Sequence, residues 1–290
     1  RGADDPRFPH REAVTGGERM QRKRETLVVV RGGGDIATGT IQKLWNSGFG
    51  VVILETDRPT AIRRKVALSQ AVYEGTAAVE ELTAERIECP EEIEEVWKRG
   101  RIPLLVDPEC RCLEDLKPLA LVDAILAKKN LGTHRTMAKH TIALGPGFTA
   151  GVDVNLVIET MRGHSLGRII REGMAMPNTG VPGIIAGYGK ERVVHAPAEG
   201  ILHIFRDIGD SVEKGEALGE IGKVEVLSPL SGLLRGILPD GFPVTKGLKM
   251  ADVDPRLSEY ENCFTISDKA RCIGGGVLEG LFSLIRETEG

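Results

Sequence analysis

Residues 141–164 read TIALGPGFTAGVDVNLVIETMRGH, and the fold expected of the chain depends on how this stretch is parsed. An apolar run, Ile142 to Leu144, empties into Gly145-Pro146-Gly147-Phe148-Thr149-Ala150-Gly151. A second apolar run, Val152 to Ile158, ends in Glu159, Thr160, Arg162 and His164. Glycine tolerates positive φ and carries no Cβ, so consecutive backbone N–H groups can turn inward. Such a concavity is a nest for an anion. Charged groups just past a buried strand stand where open α/β sheets hold ligands, outside the carboxyl ends of the strands. The stretch therefore predicts strand, anion-binding loop, strand and a polar rim. The simpler reading is a tight connection followed by a solvated strand end.

Working outward, Leu27 to Val30 is a β-rich run that meets Gly32-Gly33-Gly34-Asp35. A helical pattern follows, with Ile36, Ile41, Leu44 and Trp45 on one face and Gly48 as its stop. Val51 to Leu54 is the next strand and ends in Glu55. Gly32, Gly34 and Ala37 fit the dinucleotide fingerprint, in which glycines permit the turn and the approach of a pyrophosphate. Glu55 stands where an acid would bond a ribose hydroxyl. Asp35 belongs to the same loop and would crowd a phosphate there. Arg58, Arg63 and Arg64 could accept an extra phosphate. Further runs, Ile102 to Val106 and Leu119 to Ile125, keep the rhythm. A Rossmann-like α/β domain is expected over 25–167, with a mostly parallel sheet covered on both faces. Asp107, Asp123, Lys128 and Asn130 would share its rim, while His134 and His140 read as surface residues.

From Arg168 glycine and proline become frequent, which predicts a β-rich module over 168–256. Residues 193–250 carry a doubled pattern: His195-Ala-Pro197 with Gly209-Asp210-Ser211-Val212, then Leu227-Ser-Pro229 with Asp240-Gly241-Phe242-Pro243-Val244. Two such halves resemble the flattened barrel-sandwich of biotinyl/lipoyl carrier domains. Lys223 falls in the hairpin between the halves, but the methionines that flank a biotinyl lysine are absent. A structural or docking barrel is therefore expected. The tail, 257–290, returns to strand (Phe264 to Ile266), a charged glycine-rich loop through Gly274, Gly275 and Gly276, and a helix. That makes a second phosphate-compatible junction. The tail should dock beside the first domain, so that the β-rich module is an insertion.

Composition narrows the classes. The chain has 290 residues, a hydrophobic fraction of 41% and a net charge of −4. It can bury an ordinary core, and it lacks the basic excess of a nucleic-acid or membrane-surface protein. No apolar run reaches the length of a transmembrane helix. Residues 1–24 have no apolar segment and read as a disordered leader, an upstream or vector-derived extension before Met20. Five irregularly spaced cysteines argue against a disulfide framework and for a reducing, cytoplasmic setting. Cys110 and Cys112 lack the partner pair that a zinc site needs, so no metal site is expected.

Four long strings carry a resemblance. RGGGDIATGTIQKL (31–44), LGPGFTAGVDVNLVIETMRGHSLGRII (144–170), GLKMADVDPR (247–256) and TISDKARCIGGGVLEG (265–280) are similar to the YqeB-type accessory proteins of selenium-dependent molybdenum hydroxylases. The first domain also resembles XdhC-type molybdenum cofactor maturation factors. The resemblance implies a maturation role: binding a molybdopterin-type cofactor or its dinucleotide and assisting its modification or insertion into a hydroxylase apo-enzyme. It implies Gly145, Gly147, Thr149, Arg162, Asp252, Asp254, Arg256, Asp268, Lys269 and Arg271 as cofactor-binding candidates. Glu159 and His164 would orient the cofactor or transfer a proton. Two other readings remain open. One is an NAD(P)-dependent oxidoreductase or nucleotide-binding regulator; the other is a carrier or scaffold without chemistry. The sequence leaves open whether any reaction is catalysed and whether the chain forms a homo-oligomer.

Overall fold

A computed structural model of the chain describes residues 22–178, 180 and 185–289. The expected leader lies outside these up to residue 21, as do Thr179, Pro182 and Gly183.

In chain order the first elements are β1 (Leu27–Arg31), α1 (Asp35–Asn46), β2 (Gly50–Glu55), α2 (Ala71–Glu74), β3 (Thr76–Val79) and β4 (Leu82–Ile87). There follow α3 (Ile93–Lys98), β5 (Ile102–Val106), α4 (Leu113–Leu116), β6 (Ala120–Asp123) and β7 (His140–Leu144). Four short strands come next: β8 (Thr149–Ala150), β9 (Leu156–Ile158), β10 (Ile169–Ile170) and β11 (Gly173–Met174).

One nine-stranded sheet organises this part, in the order β10-β9-β7-β6-β1-β2-β5-β4-β3. Leu27 to Val30 sit at its centre and are fully buried. A run of β-branched and leucine side chains with no polar alternation is what a strand covered on both faces requires. The long helix α5 (Asp268–Glu289) returns from the C-terminus. Its buried Ala270, Ile273, Val277, Leu281 and Leu284 recur at helical spacing, one stripe facing the sheet and α1. A Cβ on Gly39 of α1 would lie 2.5 Å from the Ala270 carbonyl oxygen, and one on Gly274 would lie 2.5 Å from the Gly39 carbonyl oxygen. Phe49, just past α1, meets Phe282 with ring centroids 5.7 Å apart. Contacts that advance together along both helices mean that α1 and α5 run parallel, with their N-termini at the same end of the sheet.

This architecture corrects the Rossmann-like expectation. The sheet is mixed, because β3–β4 and β9–β10 pair antiparallel. Nor does a helix follow every strand. A hairpin, not a crossover helix, leads into β4, and only a 3-10 turn at Arg135–Met137 separates β6 from β7. The helix packed beside α1 is supplied from the far end of the chain. Apolar periodicity located the strands but could not tell a hairpin from a crossover.

The expected inserted barrel-sandwich is corrected as well. The chain continues with β12 (Val193–His195), β13 (Gly200–Ile204), β14 (Ser211–Val212), β15 (Ala217–Ile221), β16 (Val224–Leu227), β17 (Gly232–Ile237), β18 (Pro243–Val244) and β19 (Lys249–Asp254). These form two four-stranded antiparallel sheets, β12-β19-β17-β14 and β16-β15-β13-β18. Each half of the sequence repeat splits its strands between both sheets, so neither half closes on itself. Leu202, Leu218, Leu234, Met250 and Val253 lie in a second core, separate from the first. Lys223 occupies the β15–β16 turn and is exposed. The two parts are tied directly: the Ile237 amide donates to the Ile62 carbonyl at 2.8 Å, and Arg64 donates to the Ile237 carbonyl at 3.1 Å and pairs with Asp207.

The tail differs from its expectation in one consequential way. No strand forms at Phe264–Ile266, and Gly274, Gly275 and Gly276 lie inside α5 rather than in a loop. A Cβ on Gly276 would collide with the Gly167 carbonyl oxygen. Gly274 and Gly276 permit close packing, and none of the three forms an anion nest.

Candidate anion-binding rim

The carboxyl ends of β1, β2, β6, β7 and β9 define one edge of the sheet. The chain leaves them at Gly32, Glu55, Asp123, Gly145 and Glu159 respectively. Both long helices begin there, α1 at Asp35 and α5 at Asp268. Each N-terminus offers amide groups without intrahelical partners and the positive end of a helix dipole.

The fingerprint loop is open at one residue and closed at the next. No described residue lies within 4 Å of where a Cβ on Gly34 would stand, so a ligand can approach the start of α1. The Gly33 amide, by contrast, donates to Glu55 Oε2 at 2.8 Å, and the Thr56 amide donates to Glu55 Oε1 at 2.8 Å. Glu55 thus caps its own glycine loop. Burial raises its pKa above the ordinary 4.5, although both amides pull the other way. The sign follows: a carboxyl whose folded pKa is raised contributes stability at low pH that is lost as pH rises through the raised value. Glu55→Gln should therefore flatten the fall of unfolding free energy above pH 4.5, measured by denaturant titration at several pH values. An unchanged slope would contradict this reading.

Gly145 and Gly147 have φ of +75° and +111°. A Cβ on Gly145 would lie 2.6 Å from Thr160 Oγ1, and one on Gly147 would lie 2.7 Å from the Lys129 backbone. Close packing demands both glycines. The loop's own amides are partly spent: Gly145 donates to the Ile158 carbonyl, Gly151 to the Val154 carbonyl and Thr149 to Asp153 Oδ2. Glu159 is buried and accepts from the amides of Thr160 and Met161 at 2.7 Å and Met176 at 2.8 Å. It fixes three loop positions around the strand end. His164 is exposed on the following turn.

The two distant motifs meet. Arg162 makes a two-pronged pair with Asp268 at 3.0 and 3.2 Å. Lys269 is half-buried beside Arg162, within electrostatic reach of Asp35, Glu159 and Asp268. Burial, and then Arg162, hold its ammonium pKa below the usual lysine value. Lys269 makes no ion pair within 4 Å among the described residues.

Other candidates have different duties. Arg271 donates to Gln42 Oε1 at 2.8 Å and to both oxygens of Glu80 at 2.7 and 2.8 Å. It staples α5 to α1 and to the β3–β4 turn, away from the role of phosphate counter-charge expected of it. Gly275 lies on α5 with open space beside it. Asp252 is buried against Arg192 at 2.9 Å, and Asp254 is buried against Arg256 at 2.9 and 3.0 Å. Both pairs are local to the β12-β19-β17-β14 sheet, at the entry to β12 and the exit of β19. His140 is buried in β7, contrary to its reading as a surface residue.

Burial pushes the Cys110 thiol up to about 11 and raises that of Cys112 as well, which leaves both protonated and poorly nucleophilic. Among the described residues no cluster of three or more His, Cys, Asp or Glu is arranged to hold a metal ion. No described helix is long and apolar enough to cross a membrane. Residues that the sequence reading passed over include Glu80 and Arg235. Arg235 was detectable as the one charge in the apolar run GLLRGIL.

No model of a known protein family matches the chain. Over 261 residues it is 51% identical to "Uncharacterized protein YqeB" of Escherichia coli strain K12, covering 90% of this chain and 48% of that protein. The matched region belongs to the YqeB family. The chain spans about half the length of this relative. Among solved structures it is similar to a succinylglutamate desuccinylase/aspartoacylase from Rhodobacter sphaeroides, at 14% identity over 81% of this chain and 87% of that one, with a TM-score of 0.24. It is also similar to the ectoine utilization protein EutE (DoeB) from Ruegeria pomeroyi, at 14% identity over 80% and 86%, TM-score 0.24. An aspartoacylase family protein from Mesorhizobium loti follows at 10% identity over 81% and 87%, TM-score 0.27. Scores at this level assign neither fold nor function.

Proposed function

We propose that this YqeB-family chain is a cytoplasmic accessory factor in the maturation of a selenium-dependent molybdenum hydroxylase. In this reading it holds a molybdopterin-type cofactor, or its dinucleotide, by the phosphates and presents it to the apo-enzyme. The observation that carries the reading is the convergence of the α1 and α5 N-termini with Lys269 at one strand-end rim. The donor set suits such a group: an open amide at Gly34, an ammonium without a close carboxylate, and the donors that the Arg162 guanidinium keeps beyond the two given to Asp268. Glu159 would keep the 160–161 turn in register, and His164 would stand nearby as a proton carrier. When bound, the cofactor supplies the redox centre that the hydroxylase needs.

Lys269→Ala should weaken binding of the purified cofactor roughly tenfold, the scale of one lost charge-assisted contact. Titration calorimetry reads this directly. Equal affinity in Lys269→Ala, Arg162→Ala and the parent chain would remove the pocket.

A second reading, an NAD(P)-dependent oxidoreductase or nucleotide-binding regulator, is favoured by one observation: Gly32 and Gly34 join a strand to a helix with Glu55 beside them. NADH and NADPH titrations followed by fluorescence separate the two, since hydride transfer belongs to the second alone.

A further inference from the structure

Two arginines from distant parts of the chain lie buried together where the nine-stranded sheet's loops meet the antiparallel sheets. Arg63 follows β2, and Arg235 lies on β17. The Ile62 carbonyl accepts the Ile237 amide, and Arg63 Cγ comes within 3.4 Å of where a Cβ on Gly236 would stand. The register of β17 against β19 shifts between Leu234 and Gly236. Such a bulge re-aims the residue at its centre, here Arg235. The side chains of Arg63 and Arg235 are only 11% and 19% exposed.

The nearby carboxylates are largely committed elsewhere. Arg192 takes Asp252 at 2.9 Å, and Arg256 takes both oxygens of Asp254. Among the described residues Arg235 is left with Asp254 at 3.6 Å, and Arg63 with Asp35 at 3.5 Å. Both separations exceed the ~2.7–2.9 Å of a charge-assisted hydrogen bond. Arg63 donates to the Asn262 carbonyl at 3.0 Å, but its buried Nε has no partner among the described residues. A guanidinium buried with spare donors beside a like charge is costly unless an anion satisfies both. In agreement, burial and then the Arg235 charge lower the pKa of Arg63.

We infer that Arg63 and Arg235 together form a binding site for a tetrahedral oxyanion, either inorganic phosphate or the phosphomonoester end of a ligand. One arginine comes from each part of the fold, so the bound anion would bridge the two. This site stands beside the cofactor rim, where Asp35 begins α1 and pairs with Arg63, and its argument does not use Lys269 or the helix N-termini.

The test is calorimetric titration of the full chain with inorganic phosphate. The parent chain should bind it, and Arg235→Gln should weaken binding at least about tenfold. Arg235→Lys, which keeps the charge but loses the fork, should fall between them and guards against a folding defect. Lys223→Ala, on the remote β15–β16 turn, should match the parent. No binding to the parent chain, or equal binding by all four proteins, would overturn the inference. Phosphate binding that depends on Arg235 while the pterin cofactor fails to bind would refute the cofactor reading and leave this site standing.

Discussion

Gly274→Val is expected to lower the melting temperature by about 10 °C, while Gly275→Ala, one residue along, leaves it unchanged or raises it. The contrast follows from what surrounds each position. A Cβ on Gly274 would lie 2.5 Å from the Gly39 carbonyl oxygen and 3.0 Å from Lys43 Cγ. The first is backbone of a buried helix and cannot step aside. Overpacking of this kind costs about 3 kcal/mol at its upper end, and each kcal/mol moves the midpoint of a large domain by roughly 2–4 °C. Gly275 has nothing within 4 Å. Alanine there gains up to about 1 kcal/mol of helix propensity. Thermal unfolding followed by circular dichroism measures both. Equal responses would mean that Gly274 does not pack in the seam between α1 and α5.

The second large effect is expected at Asp254→Ala. Asp254 is fully buried and serves Arg256 through two hydrogen bonds and Arg235 through a longer ion pair. Those arginines hold its carboxyl below the usual range, chiefly by hydrogen bonds from Arg256 that outweigh burial. Removing it costs the charge-assisted bonds from Arg256, which is 38% exposed and can turn to water, and leaves the less exposed Arg235 without its carboxylate, about 2 kcal/mol together. A melting temperature lower by roughly 4–8 °C should result. The sign of the pH dependence is fixed too: a depressed carboxylate contributes stability that disappears as pH falls through its folded pKa. Asp254→Ala should therefore lose part of the parent chain's acid sensitivity below pH 3.8, the ordinary aspartate value. A variant as stable as the parent would show that Asp254 faces a ligand, the role its sequence motif suggested.

Legibility followed the range of the interactions. The segment from Leu27 to Glu55 was readable because its signals are local: an apolar run, a glycine start, a helical stripe and a second apolar run. The β3–β4 hairpin was not, because its turn is Glu80-Glu81 and carries none of the glycine or asparagine that usually marks such a turn. Missing that hairpin hid the antiparallel edge of the sheet at β3–β4. In α5, three consecutive glycines read as a loop because each lowers helix propensity. The partner helix, more than two hundred residues away in sequence, explains Gly274, and the backbone at Gly167 explains Gly276. The meeting of 145–164 with 267–276 was anticipated, and the Arg162–Asp268 pair carries it. The true neighbours of Arg271, Asp252 and Asp254 were out of reach, since a charged residue announces that it needs a partner without saying which.

The most direct test of the account is native mass spectrometry of the chain purified from a molybdenum- and selenium-replete host. The expected result is a mass increment equal to a pterin cofactor or its dinucleotide, retained by the parent chain and lost from Lys269→Ala. Bare protein from both, under conditions where a known cofactor-binding protein stays loaded, would contradict it.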